Sequence, residues 1–396
     1  MTAAPALTGV RVLDASRILA GPFCGQLLAD NGAEVIKIES PEGDQNRAWP
    51  PLVDGQGTNY LCVNRGKEGI VVNLATVAGQ AVLHDLVRCS DVFIHNFLPK
   101  VAEKLGVDYA TLAALNPDLI YVNISGYGAA GPLRDKPGYD MMVNAYCGIM
   151  GLTGEPDRAP VRVGVPALDM TTGILAYGAV STALLARAQG KARGQRIDLS
   201  LLETGLSLLG YRAINWLCAD YLEQREGSRY LHLAPYGAFR CGDGEMMIGV
   251  PNDRDWQKLC TVLGGGALAT ERFATNADRI ARVDELTAEL ERCLATRGVA
   301  EMLATLTEAG ISCAPIHNVA QVLAEEQVRA VDMVVDVPRR DGGSMALLGV
   351  PFKFSATPAR PGKAPPRLGE DTDAVLRRVL GLADTELERL RAAGAI

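Results

Sequence analysis

The chain has 396 residues, of which 48% are hydrophobic and 21% charged, so it has the composition of a globular protein long enough for two or three domains. With 39 Lys and Arg against 46 Asp and Glu, the net charge is −7 and no basic run is present, which argues against nucleic acid or an anionic membrane as a partner. The nine cysteines contain no CxxC pair, fit neither a disulfide framework nor a zinc site, and predict a cytoplasmic protein with reduced thiols.

The first half of the chain alternates short runs rich in Val and Ile with helical patterns, as expected for a parallel sheet covered on both faces. An uncharged stretch of 17 residues, 170–186, is shorter than a bilayer span of about 20 and is predicted to be a buried helix. Further helices are predicted after the turn at Gly21-Pro22 and at residues 79–87, 99–105 and 202–221. The predicted strands cover residues 10–14, 35–39, 70–74, 92–95, 119–124 and 195–201. This alternation predicts a doubly wound, Rossmann-like α/β domain.

The pattern changes after a charged, turn-prone stretch at residues 223–229, which is predicted to be a linker. Residues 234–250 indicate a hairpin that turns at Gly242-Asp243-Gly244, and helical patterns follow from about residue 256 to 306. Together these segments predict a smaller α+β domain. Strand-like segments return at 333–337 and 346–350, and a proline-rich connection then leads to a final helical stretch.

Common ligand-binding motifs are absent or out of context. Gly126, Gly128 and Gly131 form a GxGxxG pattern after a predicted strand, but Pro132 follows where a helix should begin, so these glycines are predicted to shape a loop. No P-loop and no GxSxG occurs in the sequence. The four histidines are scattered without a second ligand at metal spacing, so no metal site is predicted.

Carboxylates remain as candidate catalytic groups. Asp169 is a single charge among apolar residues just before the long apolar helix, so it is either the N-cap of that helix or a nucleophile that attacks an activated acyl group. In Gly138-Tyr139-Asp140 the tyrosine hydroxyl could orient an active-site aspartate, although a turn residue beside a core tyrosine explains the pair nearly as well. The sequence alone leaves this pair undecided.

A series of longer motifs extends over essentially the whole chain. In order they are VRVLDASRILAGPFCGQLLADNGAEVIKIESPEGD, VNRGKEGIVVNL, DVFIHNFLPKVAEKLGVDY, NISGYGAAGP, KPGYD, ALDMTTG and LGEDTDAVL. Together these motifs resemble the family III CoA-transferases, a family that includes formyl-CoA:oxalate, carnitine and succinyl-CoA:dicarboxylate CoA-transferases.

The resemblance implies a fold and an assembly. It implies an α/β architecture in which a Rossmann-like large domain is built from both chain ends, residues 1–222 and 326–396. A small α+β domain, residues 223–325, is inserted between them. Two subunits are expected to interlock like chain links in a homodimer.

The resemblance also implies ligands and roles. Asp169 corresponds to the family's catalytic aspartate, which passes through acyl-anhydride and aspartyl-CoA thioester intermediates, and Tyr139 and Asp140 border it. Acyl-CoA and a small carboxylic acid are the implied partners, with coenzyme A as substrate and product and no permanently bound cofactor. Lys104 is the candidate cation for the nucleotide phosphates. The implied CoA-binding residues are Arg17, Ile18, Leu19, Ala20, Val72, Leu74, Asn96, Phe97, Lys104 and Leu105.

Departures from the family pattern bear on the substrate. Leu19 stands where the formyl-CoA:oxalate enzymes have glutamine, and their run of four glycines is absent from REGSRYLHLAPYG, which disfavours oxalate. Ser40 stands where those enzymes hold an arginine for CoA. The combination SRILAGPF, NISGYGAAGP and ALDMTTG resembles the succinyl-CoA:dicarboxylate branch, such as glutarate CoA-transferase. A dicarboxylate needs a cation for its distal carboxylate, and Arg17 or Arg47 is the candidate.

Two other functions remain open at this point. An α-methylacyl-CoA racemase would share the fold, but racemases carry histidine where Tyr139 stands, and a tyrosine there supplies no base near neutral pKa. A CoA-binding protein without catalysis is disfavoured by the retained acid. The acceptor is also open, since succinate, glutarate, itaconate, mesaconate and citramalate differ by groups worth only about 1 to 3 kcal/mol in a pocket.

Overall fold

The computed structural model describes residues 4–396, which form two compact units. Unit 1 contains the described residues up to Met150 together with Arg162–Leu217 and Glu326–Ile396, and unit 2 contains Gly151–Val161 and Cys218–Glu325. The sequence-based boundaries place residues 151–161 in the large domain, whereas the structure groups them with unit 2. The reason is local hydrogen bonding: Gly227 N donates to Gly154 O at 3.0 Å, and the Arg225 guanidinium donates to Arg158 O at 2.8 Å.

The secondary structure comprises strands and helices that alternate through unit 1. The strands are β1 Arg11–Asp14, β2 Glu34–Glu39, β3 Leu52–Val53, β4 Gln56–Gly57, β5 Glu68–Val71, β6 Val92–His95, β7 Ile120–Ser125, β8 Gln195–Ser200, β9 Tyr236–Arg240, β10 Glu245–Gly249, β11 Ser312–Pro315, β12 Val334–Pro338 and β13 Ser344–Leu348. The helices are α1 Ala20–Asp30, α2 Thr58–Leu61, α3 Val77–Arg88, α4 Pro99–Lys104, α5 Tyr109–Leu115, α6 Asp140–Tyr146, α7 Ala167–Ala188, α8 Leu201–Leu209, α9 Tyr211–Ala219, α10 Asp253–Val262, α11 Asn276–Ala281, α12 Val283–Leu294, α13 Val299–Glu308, α14 Val319–Ala324, α15 Glu326–Ala330, α16 Thr372–Leu380 and α17 Asp384–Ala392. Short 3-10 helices lie at Gln45–Ala48, Met150–Leu152 and Glu271–Phe273.

Unit 1 is built on a six-stranded sheet with the order β5-β2-β1-β6-β7-β8. Every pairing in it is parallel, and Leu13 of β1 lies opposite Ile36 of β2 and Phe93 of β6, all three fully buried. The chain moves outward from β1 to β5, returns to β6 and then continues outward to β8. This is the doubly wound order of a Rossmann-like fold, so the predicted architecture of the first half is confirmed.

Helices cover both faces of this sheet, and each face has its own apolar core. One core joins the strands to α3, α5, α16 and α17 through side chains such as Leu83, Leu112 and Leu376. The other joins them to α1, α7 and α8 through side chains such as Leu28 and Val180. Burial on both faces explains why these strands read as continuous apolar runs in the sequence.

The C-terminal residues complete one edge of the sheet. Asp371 N donates to Gly69 O at 2.9 Å, and Gly69 N donates back to the Asp371 carboxylate at 2.8 Å, which fixes the start of α16 against β5. Asn73 N donates to Ala395 O at 2.8 Å, so the last residues of the chain also lie beside this edge.

Unit 2 contains a three-stranded antiparallel sheet with the order β11-β10-β9. The hairpin predicted at residues 234–250 is confirmed as β9 and β10, whereas β11 was not anticipated. Helices α10, α12 and α13 bury residues such as Trp256, Leu290 and Met302 against the sheet.

The helices predicted at residues 202–221 and 170–186 differ from the structure in number and in length, respectively. The single helix predicted at 202–221 is two helices, because Gly210 adopts φ 54° and ψ −127° between α8 and α9. The predicted apolar helix is α7, with 22 residues; among residues 4–396 it alone is long and apolar enough to cross a membrane. One side of α7 packs against α1 in the core, with Ala176 and Val180 fully buried, so it is a helix of the protein core.

Candidate active site

The topology places a crevice at the carboxyl ends of β1 and β6. These neighbouring strands lead to α1 and α4 on opposite faces of the sheet, so the two connections diverge, as at the ligand site of doubly wound folds. A cleft of ≈ 320 Å³ lies there, within the size range of small-molecule sites. Its lining comprises Arg17, Ile18, Ala20, Gln45, Asn96, Phe97, Leu98, Pro99, Val101, Asn123, Ile124, Ser125, Gly126, Gly128, Ala129, Arg134, Pro137, Gly138, Tyr139, Asp169, Arg196 and Leu201.

Asp169 reaches this cleft from the first turn of α7. The N-cap of α7 is Pro166, which makes no side-chain capping bond, so Asp169 is not the N-cap. Capping comes from Asp140 instead: its Oδ2 accepts from Leu168 N at 2.8 Å and from Asp169 N at 3.1 Å. Because a second carboxylate satisfies these helix amides, the Asp169 side chain is left to face the cleft.

The environment of Asp169 changes its acidity. Burial of the carboxyl group, followed by the nearby negative charge of Asp140, raises the pKa of Asp169 to about 7. A carboxylate with such a pKa is a stronger base and nucleophile than an exposed aspartate, and it titrates near neutral pH. This combination of a raised pKa and a place in a cleft is typical of a functional carboxylate.

Three helices begin at the cleft, so their N-terminal ends lie beside it. Ala20 is the first residue of α1, Leu201 the first of α8, and Asp169 lies in the first turn of α7. Helix N-termini carry partial positive charge, which favours an anion and stabilises negative charge that develops on an acyl oxygen. Close approach of α7 to α1 requires Gly173, because a Cβ there would lie 2.7 Å from Ala20 O.

The loop between β7 and α6 forms another wall of the cleft. A Cβ at either Gly126 or Gly138 would lie 2.6 Å from the Cα of the other, so the two ends of the loop close on each other through their glycines. No helix follows β7 until α6 begins at Asp140, which agrees with the expectation that GxGxxG shapes a loop. Tyr139, 57% exposed, lies at this wall, and the link to Asp169 is made by Asp140 rather than by the tyrosine.

The predicted CoA-binding residues divide into two groups. Arg17, Ile18, Ala20, Asn96 and Phe97 line the cleft, and the Arg17 guanidinium lies 5.5 Å from the centre of the Phe97 ring. The others lie outside its lining: Leu19, Val72 and Leu74 are buried, Leu105 is half-buried, and Lys104 is exposed at the end of α4.

Arg47, the second candidate for a substrate carboxylate, lies away from the cleft lining. Its guanidinium donates to both Glu39 oxygens at 2.6 and 2.8 Å, to the Tyr60 hydroxyl at 2.6 Å and to Pro366 O. It also stacks on the Tyr60 ring at 3.7 Å from the centre. These contacts occupy its donors in a nearly buried network, so we do not place Arg47 at the substrate.

Two cations of the cleft were missed by sequence reasoning. Arg134 follows the GxGxxG loop, and Arg196 lies on the edge strand β8, where it pairs with Asp198 at 2.8 Å. The available signal for Arg196 was a charge within the strand sequence QRIDLS. The arginine of PLRDKPG could be connected with Asp169 only through the fold of the loop. Among residues 4–396 no cluster of His, Cys, Asp or Glu is suited to a metal ion.

Comparison with known proteins identifies the family. The profile of CoA-transferase family III matches residues 7–372. The chain therefore belongs to CoA-transferase family III and is an acyl-CoA:carboxylate CoA-transferase.

Two relatives are similar over nearly the whole chain. A succinate–glutarate CoA-transferase of Agrobacterium fabrum is 38% identical over 381 residues, covering 94% of this chain and 95% of that protein. The succinyl-CoA:glutarate CoA-transferase of Mus musculus is 35% identical, covering 98% and 90%.

A solved structure shows the same architecture. The crystal structure of a CAIB/BAIF family protein from Brucella suis has a sequence 38% identical to this chain and a TM-score of 0.88. The match covers 95% of this chain and 100% of that chain. The sequence-based identification of the family is thereby confirmed.

Proposed function

We propose that this protein transfers CoA from succinyl-CoA to a dicarboxylic acid through a covalent intermediate on Asp169. The supporting observation is the position of that carboxylate: it faces the cleft from the first turn of α7, while Asp140 accepts from the amides of Leu168 and Asp169. Relatives named as succinate–glutarate and succinyl-CoA:glutarate CoA-transferases support the donor and the acceptor class.

The proposed reaction uses four acyl transfers. An Asp169 oxygen attacks the thioester carbonyl of succinyl-CoA and the C–S bond breaks. CoA departs as the thiolate, and an aspartyl–succinyl anhydride is formed. The thiolate then attacks the aspartyl carbonyl, which gives aspartyl-CoA thioester and releases succinate. An acceptor carboxylate attacks that thioester, and the expelled thiolate attacks the acceptor acyl group of the second anhydride. The products are a new acyl-CoA and a regenerated Asp169 carboxylate.

The remaining cleft groups have proposed roles that follow from their charges. Amides at the start of α1 stabilise the oxyanion formed at each attack. Those at the starts of α7 and α8 already donate to Asp140, Gly126 and Ser200. Arg17 binds an anionic part of the ligands, either a CoA phosphate or the distal carboxylate of the acid. Tyr139 forms part of the wall beside Asp169. Asp140 raises the pKa of Asp169 and fixes the first turn of α7.

The covalent step is tested by trapping. The protein is incubated with succinyl-CoA and then with hydroxylamine, which converts an activated aspartyl group to a hydroxamate that peptide mass spectrometry locates. We expect the label on Asp169 in the wild-type chain and its loss in Asp169→Asn, with the fold retained by circular dichroism. Full transferase activity in Asp169→Asn would rule out the proposed nucleophile.

A panel of acids with succinyl-CoA as donor tests the substrate class. We expect dicarboxylates of five or six carbon atoms to be converted faster than monocarboxylates of the same chain length, because a distal carboxylate can pair with Arg17. Exchange of the α-hydrogen for deuterium without any CoA exchange would instead indicate racemase chemistry. Within residues 4–396 none of the four histidines lines the cleft, so the histidine base of that chemistry has no counterpart here.

Assembly and location extend the proposal. We expect an interlocked homodimer, supported by family membership and by exposed apolar side chains such as Leu217, 74% exposed, and Trp216, 53% exposed. A cytoplasmic location is supported by the nine cysteines, all free in the structure.

A further inference from the structure

The connection between β1 and α1, residues 16–18, is a strained part of the cleft wall. Ile18 has φ 72°, in the left-handed region that a β-branched residue rarely adopts. Such a conformation persists only where the surroundings fix it, and it is concentrated at functional sites. Arg17 and Ile18 both line the cleft, so the shape of this connection sets the shape of the wall.

Side chains form hydrogen bonds with the backbone of Ser16 and Arg17, the first two residues of this connection. Arg17 N donates to Asn96 Oδ1 at 2.9 Å, and Arg17 O accepts from Asn96 Nδ2 at 2.9 Å. Ser16 N donates to Asp14 Oδ1 at 3.1 Å, and Ser16 O accepts from Lys37 Nζ. Side-chain hydrogen bonds therefore hold the backbone of Ser16 and Arg17 in place, as backbone hydrogen bonds hold a strand in a sheet.

The backbone of Ile18 is held by two further buried side chains. Ile18 N donates to the Asp44 carboxylate, at 3.1 Å from Oδ2, and Ile18 O accepts from Asn46 Nδ2 at 2.7 Å. Asp44 pairs with Lys37 at 3.3 Å, and both side chains are 0% exposed. Asn46 is also fully buried, so water does not readily replace its bond.

We propose that Lys37, Asp44 and Asn46 are positioning residues that hold residues 16–18 in the strained conformation required to bind the CoA ester. Within the described chain none of the three lines the cleft, so they act through the connection and not on the ligand. The inference rests on the proposed function, because it takes this cleft as the acyl-CoA site.

The first test is Asn46→Ala, which removes a neutral donor and leaves no buried ion unpaired. When Ile18 O loses its partner, the connection relaxes towards negative φ and Arg17 moves with it. We expect the KM for acyl-CoA to rise about 5- to 20-fold, with kcat changed less than about twofold. An unchanged KM in a folded variant would overturn the inference.

The matched control is Asn31→Ala, at the opposite end of α1. Asn31 is 1% exposed and its Nδ2 donates to Leu27 O at 2.8 Å, so its removal deletes a comparable buried bond. We expect a similar loss of thermal stability with no change in KM. A rise in KM equal to that of Asn46→Ala would mean that stability alone changes binding. Should Asn46→Ala not fold, Asn46→Ser replaces it with the same expectation, since serine stays polar but is too short to reach Ile18 O.

A second variant tests whether Asn46 acts through Ile18. Glycine adopts φ 72° without strain, so Ile18→Gly removes the tendency of the connection to relax. We expect Asn46→Ala to raise KM much less in the Ile18→Gly background than in the wild-type background. Equal fold-changes in both backgrounds would overturn the proposed route.

Calorimetric titration with free CoA separates this inference from the proposed function. The Kd for CoA should rise in Asn46→Ala and stay constant in Asn31→Ala, whether or not the protein transfers CoA to a dicarboxylate. Absence of transfer with this binding pattern contradicts only the proposed reaction. Normal transfer by the wild-type chain, with equal Kd in both variants, contradicts only the positioning role.

Discussion

Asp169, which lines the cleft, and its neighbour Asp140 have different roles, because within residues 4–396 backbone amides donate to Asp140 and not to Asp169. Asp140 accepts from Leu168 N and Asp169 N, which spreads its charge over the first turn of α7. Asp169 has no such stabilisation, and burial together with the charge of Asp140 raises its pKa to about 7. Protonation at lower pH removes the nucleophile, so kcat/KM should rise with pH and level off above about 7.

Asp140→Asn tests this coupling. The amide oxygen still accepts from the two α7 amides, whereas the negative charge beside Asp169 is gone, so the pKa of Asp169 falls. Since burial is the larger cause of the raised pKa, the acid limb of the pH profile should move down by only about one unit. The profile of kcat/KM from pH 5 to 9 measures the shift. Asp85→Asn, at an exposed carboxylate of α3, is the control, and an acid limb that stays in place or moves up in Asp140→Asn contradicts the coupling.

Asp169→Asn should increase stability in a pH-dependent way. Because the pKa of Asp169 is about 7 in the folded chain and near 3.8 when unfolded, the folded state binds more protons between these values, and wild-type stability falls as pH rises through that window. Asparagine has no proton to lose. The gain in unfolding free energy should therefore be about 2 kcal/mol larger at pH 8 than at pH 5, measured by denaturant unfolding. A gain that is equal at both pH values would show that the carboxylate is not destabilised by burial.

At the scale of elements, the contact between α7 and α1 sets the distance from Asp169 to the start of α1. A Cβ at Gly173 would lie 2.7 Å from Ala20 O and 3.0 Å from Phe23 Cβ, so Gly173→Ala must push the helices apart. We expect a loss of about 1 to 3 kcal/mol in unfolding free energy and reduced kcat.

The same helix offers the control for that substitution. Gly178 is exposed and has no atom within 4 Å of an added Cβ, so Gly178→Ala should be neutral or stabilising by up to about 1 kcal/mol through helix propensity. Thermal unfolding of the two variants measures the difference, and equal effects would contradict the close packing of α7 on α1.

Sequence reasoning succeeded where a property is local. Buried parallel strands produce apolar runs, so β1, β2, β6 and β7 were located to within a residue or two. The break between α8 and α9 was not predicted, because a glycine within a helical pattern does not indicate that its ψ will be −127°, as it is at Gly210. The short strand β11 escaped because its partner β10 lies more than sixty residues earlier in the chain.

The candidate site shows the same limit. Asp169 was identified because an isolated acid stands out among apolar residues, but its N-cap alternative could be decided only by contact with Asp140, 29 residues away. Arg47 was plausible as a free cation until the fold brought Glu39 and Tyr60 to its guanidinium. Partners that meet through the fold leave no pattern in the sequence.

At the scale of the whole molecule, the net negative charge coexists with arginines concentrated at one cleft. The chain carries −7 overall, yet Arg17, Arg134 and Arg196 line one cleft at which three helices begin. A net negative protein can therefore present local cations to an anionic thioester, while its net charge disfavours polyanions such as nucleic acid. The exclusion drawn from composition applies to extended polyanions and not to a nucleotide ligand.

The proposed interlocking makes a kinetic prediction about the assembly. Interlocked chains cannot separate without unfolding, because each must pass out of the other, so subunit exchange is limited by the unfolding barrier. Two differently tagged preparations, each sedimenting at twice the chain mass of 42.1 kDa, should form no mixed dimers after hours at 25 °C. After joint unfolding and refolding, about half of the dimers should carry both tags by random pairing of chains. Mixed dimers that appear without denaturant, or a monomer at nanomolar concentration, would show that the subunits meet only through surfaces.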